Sequence, residues 1–155
     1  MTGRRLFALS SIVPVLLAPC GPAGAASASL SGAWVLNVAS SDGIPADDLA
    51  VETLVMTLAD QTVTFYLADG SRRVYHLSGR RERQDLGSGA VWTTAEWNGT
   101  MLRLVVTGDH GLEVHQTFSL DRRTGQLIVI TSPDQRRMPM HAVRLVYDPL
   151  IDRER

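Results

Sequence analysis

Between Ala90 and Thr131 the chain sets out four β-rich runs separated by three turn signals, and this stretch constrains what everything else can become. The runs are Ala90–Trp97, Thr100–Thr107, Leu112–Leu120 and Gln126–Thr131, parted by Asn98-Gly99, Gly108–Gly111 and Asp121–Gly125. Connections this short join only antiparallel neighbours, because a parallel pair needs a crossover of about a dozen residues or more. Asn98-Gly99 reads as a type I′ hairpin turn, which requires φ > 0 at both central residues. A four-stranded antiparallel meander follows.

The flanking sequence continues the pattern. Leu30–Val38 is a strand with Trp34, Leu36 and Val38 on one face. From Glu52, Leu54, Met56 and Leu58 alternate with polar or small neighbours, and after a turn at Asp60-Gln61 so do Val63, Phe65 and Leu67. Asp69-Gly70 is a second type I′ signal, with Arg72–Leu77 as the returning strand. Ser78–Gly89 is charged and Gly-flanked and reads as a mobile loop, while Ala39–Leu49 and Ser132–Pro139 are polar, Pro-containing loops. Met140–Tyr147 closes the chain with Val143, Leu145 and Tyr147 on one face and Ala142, Arg144 and Val146 on the other. This gives an all-β, up-and-down antiparallel meander of eight or nine strands. Such a sheet either closes into a barrel or splits into two packed sheets, since an open one leaves an apolar face and both edges bare. Closure into a barrel is the first expectation, a sandwich the alternative.

The N-terminal residues belong to a different category. Arg4 and Arg5 form a basic n-region, Leu6–Leu17 an apolar h-region, and Ala23-Gly24-Ala25 and Ala26-Ser27-Ala28 two small-residue cleavage sites. This is the anatomy of a cleaved export signal, and its apolar run is short of the roughly 18 residues a membrane span requires. Arg4-Arg5-Leu6-Phe7 resembles the core of a twin-arginine signal. Leu17-Ala18-Pro19-Cys20 resembles a lipobox, but Pro19 stands where a small residue is required, so lipidation at Cys20 is not expected. The expected organisation is a signal over residues 1–28, one domain over 29–148 and a frayed tail over 149–155. Cleavage removes the only cysteine and leaves about 127 residues, enough for one core. No membrane span remains in the mature form. All fifteen basic residues are arginine, against sixteen acidic ones, so there is no basic field for nucleic acid. The absence of lysine points to a GC-rich bacterial coding sequence, and with the signal to a periplasmic or extracellular location.

Gly32-x-Trp34 on the opening strand, a meander, and Arg144 on the closing strand together resemble the calycin (lipocalin-like) pattern. That resemblance implies a closed barrel in which Trp34 seals the floor and Arg144 packs across its ring. The chain departs from it in lacking the Thr-Asp-Tyr signature and the C-terminal helix. A wider resemblance is to small exported bacterial β-barrel proteins with no assigned activity. It rests on Gly32–Asn37, on Ser41-Asp42 and on the Thr94–Leu102 hairpin.

Catalytic chemistry has little to stand on. His76, His110, His115 and His141 fall on different strands or turns without metal-ligand spacing, no Gly-x-Ser-x-Gly elbow is present, and the Asp42–Asp48 acidic loop lacks the EF-hand alternation. No catalytic residue, metal site or cofactor is expected. The paired arginines Arg72-Arg73, Arg80-Arg81, Arg122-Arg123 and Arg136-Arg137 lie in or beside loops, where they blunt strand edges or, gathered at one barrel end, receive an anionic group.

The lumen decides the function class. Most inward positions are bulky, but Thr93 and Ala95 on one strand and Gln116 on another make one side smaller and partly polar. A buried Gln without a partner costs about 1–3 kcal/mol, so it needs a neighbour such as Thr93, a water or a ligand. Candidate ligand contacts are therefore Trp34, Thr93, Ala95, Trp97, Gln116 and Arg144. Two functions stay open: a small apolar or amphipathic molecule bound in the barrel, or a solid-cored structural domain that meets another envelope protein.

Overall fold

The computed structural model describes residues 30–43, 53–85, 89–108, 110–134 and 141–150; the stretch read as an export signal, Cys20, most of the acidic loop, Arg136-Arg137 and the last five residues lie outside these. Ten strands form one antiparallel sheet: β1 (Gly32–Leu36), β2 (Thr53–Ala59), β3 (Thr62–Tyr66), β4 (Arg72–His76), β5 (Glu82–Asp85), β6 (Ala90–Asn98), β7 (Met101–Thr107), β8 (Glu113–Leu120), β9 (Leu127–Pro133) and β10 (Val143–Pro149). Their spatial order is β4-β3-β2-β1-β10-β9-β8-β7-β6-β5. Every neighbour is a sequence neighbour except β1 and β10, where the first and last strands pair. The curled sheet is thus an up-and-down barrel with a single seam, between β4 and β5.

The inward phase is the expected one on most strands. Met56, Val63, Leu102 and Leu127 are fully buried, and Leu30, Trp34, Phe65, Tyr75, Leu104, Phe118, Val129 and Tyr147 join them in one core. Phe65 on β3 touches Phe118 on β8, ring centroids 5.3 Å apart, and Tyr75 meets Phe65 edge-on at 5.7 Å. Strands β3 and β8 stand five places apart in the sheet, so this contact crosses the lumen.

Several expectations are corrected. The charged run at Ser78–Gly89 is not simply a loop: Glu82–Asp85 is a strand paired with Ala90–Thr93 of β6, which brings the count to ten rather than eight or nine. Neither face of this edge strand is apolar, so hydrophobic alternation cannot show it. It is held by ladder bonds, by Arg81 over the Trp92 ring at 5.0 Å, and by the Thr93 hydroxyl donating to the Glu82 carbonyl at 3.4 Å. The turns at Asn98-Gly99 and Asp69-Gly70 are not type I′. Asn98 pairs with Met101, which leaves Gly99-Thr100 as the loop, and Gly99 takes φ +63° while Thr100 does not turn positive; that sign pattern belongs to type II′. At the other turn Gly70 N–H donates to the Leu67 carbonyl (3.0 Å) and Gly70 lies at φ +80°, a type I turn closed by a left-handed glycine. Of the residues expected as a tail, Pro149 ends β10 and Leu150 N–H donates to the Ala33 carbonyl at 2.8 Å, and the last five lie outside the described residues.

Arg144 does not stack on Trp34. Trp34 sits in register with Pro149, five residues along β10 from Arg144. Because Leu145 and Tyr147 face the core, alternation turns Arg144 outward, where its Nη1 donates to the Ser40 carbonyl at 2.9 Å. It pins the short 3-10 turn Val38–Ser40 and the Asp42 bridge against β10 instead.

Candidate functional site

The side chains that cross the lumen leave a cavity on one side of them. Cross-strand pairing sets Leu102, Phe118 and Val129 in one row and Leu104, Gln116 and Thr131 in the next. Beside the Phe65–Phe118 contact, Leu104, Gln116, Phe118, Val129 and Thr131 of these rows, with Leu145 and Tyr147 from the adjoining β10 and Leu54 and Tyr75 from β2 and β4, line a cavity of about 250 Å³. Its polar lining is sparse: the phenols, a Gln116 amide donating to the Thr131 hydroxyl at 3.4 Å, and Arg73. Ligand sites for drug-sized molecules span about 300–1,000 Å³, so this one suits a small or slender occupant.

Arg73 and Leu67 also line a second, open slot of about 540 Å³ between the edges of β4 and β5. No ladder joins these edges. Side chains bridge them instead: Gln84 Nε2 donates to the Val74 carbonyl at 2.7 Å, and His76 Nδ1 lies 2.8 Å from Glu82 Oε2. Near the β4–β5 turn, Gly79 N–H donates to the Ala95 carbonyl at 3.0 Å and draws the seam shut at that end. Arg73 and Leu67 thus stand between the cavity and the slot.

Of the six candidate residues, only Gln116 lines the cavity, and its partner is Thr131 rather than Thr93. Trp34 is buried in the core, its Nε1–H donating to the Leu30 carbonyl at 3.3 Å. Thr93 and Ala95 are also buried, Thr93 beneath β5, and Trp97 packs against the core from its margin. Arg144 is outside the barrel. Sequence reasoning passed over Arg73 as one of a pair beside a loop. The signal was present, since Arg73 and Tyr75 share one phase of β4 and Arg72, Val74 and His76 the other.

Burial raises the phenol pKa of Tyr75, the nearby Arg73 charge working against it, and burial alone raises that of Tyr147. A phenol whose folded pKa is raised favours the fold while neutral. Its contribution is complete below the unfolded value of about 10 and is lost as pH climbs through the higher folded value. The urea midpoint is expected to fall steeply above about pH 10, and replacing both tyrosines by phenylalanine is expected to flatten that limb; an unchanged slope in the double variant refutes the assignment.

Among the described residues no three His, Cys, Asp or Glu side chains gather where a metal could be held, and no helix is long and apolar enough to cross a membrane. No protein-family model and no curated protein matches the chain. Solved structures do resemble it. The REP1-NXSQ fatty acid transporter superposes with TM-score 0.59 at 15% identity over 83% of this chain and all of its own. The fatty-acid-binding protein 1 of Echinococcus granulosus gives 0.56 at 10% identity over 80% of this chain and 99% of its own. A secretory abundant heat soluble protein of Ramazzottius varieornatus gives 0.55 at 8% identity over 78% and 95%. At such identities the likeness concerns the fold, which is calycin-like in the manner of the fatty-acid-binding proteins.

Proposed function

We propose that this chain is an exported bacterial β-barrel protein, periplasmic or extracellular, that holds a small apolar or amphipathic molecule inside the barrel. The observation that carries the reading is the largely apolar cavity of about 250 Å³ beside the Phe65–Phe118 contact. A solid-cored adaptor has no use for such a space, since interiors otherwise pack to crystal density. Structural neighbours described as a fatty acid transporter and a fatty-acid-binding protein support an apolar occupant. The signal anatomy at Arg4–Ala28 supports export.

The alternative, a structural domain that meets another envelope protein, draws on the fully buried layer of Met56, Val63, Leu102 and Leu127, which leaves much of the interior solid. Native mass spectrometry of the protein from a bacterial envelope fraction separates the two. The expected spectrum shows the chain without its first 25–28 residues and with a small molecule attached that leaves on activation. A stable apo mass bound to a second protein favours the adaptor, and an uncleaved mass overturns export.

A further inference from the structure

Three aromatic rings meet in one row across the lumen. Phe118 of β8 lies 5.3 Å from Phe65 of β3, and Tyr75 of β4 meets Phe65 edge-on at 5.7 Å. All three are buried, and all three line the cavity. Their ladder neighbours do not: Met56 beside Phe65, Val63 beside Tyr75 and Leu102 beside Phe118 are fully buried, and none of them reaches the cavity. The rings therefore stand between a hollow part of the lumen and a solid one. Phe65 is held from both sides, so neither it nor Phe118 can step aside without giving up an aromatic contact. The neighbouring slot offers an apolar chain no continuation, because Asp69, Ser71, Arg72, His76, Glu82 and Asp85 are among the residues that line it. Size then limits the occupant. An apolar cavity of about 150 Å³ holds benzene, and in proportion about 250 Å³ holds about ten heavy atoms.

We propose that the cavity selects by length: its occupant is a compact, mainly hydrocarbon molecule of about ten heavy atoms, and Phe118, backed by Phe65, is the stop that excludes longer chains. This rests on the ligand-binding reading above and adds to it the size class of the ligand and the residue that sets it. Each methylene taken out of water into the cavity strengthens binding about fourfold. A chain too long for the space leaves its surplus methylenes in water, where they add nothing. Affinity along a homologous series thus climbs and then breaks at the length the rings allow.

The test measures 1-hexanol, 1-octanol, 1-decanol and 1-dodecanol by titration calorimetry on the purified protein and on Phe118→Ala, Phe118→Leu and Leu102→Val. In the wild type, affinity is expected to rise about tenfold or more from hexanol to octanol and to stop rising by decanol, so that dodecanol binds no more tightly than decanol. Phe118→Ala removes the stop and is expected to carry the rise on, with dodecanol about tenfold tighter than decanol. Phe118→Leu opens less space and is expected to raise the decanol-to-octanol affinity ratio about threefold to fourfold over that of the wild type. Leu102→Val thins the solid side and is expected to leave the break where it is. An even rise through dodecanol in the wild type overturns the length stop while the barrel still binds, and a break that stays in place in the Phe118 variants overturns the role of that ring. Failure of every alcohol to bind overturns the length stop and the ligand-binding reading together. If Phe118→Ala does not fold, the wild-type series and Phe118→Leu decide alone.

Discussion

Replacing Trp34 by alanine is expected to cost about 3–5 kcal/mol, the range for removing a large aromatic from a core. Against a total stability of about 5–15 kcal/mol that is enough to leave the barrel marginal. Trp34 is 5% exposed, sits between Leu54 of β2 and Pro149 of β10, and donates its indole N–H to the Leu30 carbonyl. It therefore joins three pieces of chain at the point where the first and last strands meet. Its ring lies over Gly32, where a Cβ would stand 3.6–3.8 Å from the indole and where the backbone is at φ +154°, so the Gly-x-Trp pair acts as a unit. Arg144→Ala removes one partly exposed hydrogen bond to a carbonyl and is expected to cost about 0.5–1.5 kcal/mol at most. Urea midpoints measure both. Equal losses would mean that the ring and the arginine share a load, as the resemblance to calycins implied and the geometry denies.

The arginine shows what the sequence can and cannot convey. Alternation along Met140–Tyr147 already assigned Arg144 and the core-facing Leu145 and Tyr147 to opposite faces, and that local signal proved correct where the family resemblance did not. Period-2 patterning is legible because burial on one face is a property of each strand alone. The strand Glu82–Asp85 has two wet faces and is defined by hydrogen bonds to its neighbour, which no side-chain pattern encodes. Turn type was half legible: Gly70 and Gly99 do take positive φ, but the residue preceding each does not, because the choice among hairpin loops depends on how the flanking strands register. The site was the least legible part. Thr93, Ala95 and Gln116 all face inward as expected, yet whether an inward residue meets a void or a neighbour depends on strands far away in sequence. Thr93 is covered by the unforeseen β5, and the space opens beside Gln116 instead.

That difference in surroundings gives the last expected result. Val129 and Ala95 are both nearly inaccessible, at 4% and 2% exposure, but only Val129 lines the cavity. Val129→Phe projects a ring into empty space beside Phe118 and is expected to leave the urea midpoint level or raise it, while displacing any occupant of the barrel. Ala95→Phe places a ring in the packed core beside Leu104, and overpacking of this kind costs about 1–3 kcal/mol. Stability and binding thus move independently in the two variants: one loses the ligand and keeps the fold, the other weakens the fold. If Val129→Phe is as damaging as Ala95→Phe, no space exists beside the Phe65–Phe118 contact, the lumen is solid throughout, and the adaptor reading is the one to pursue.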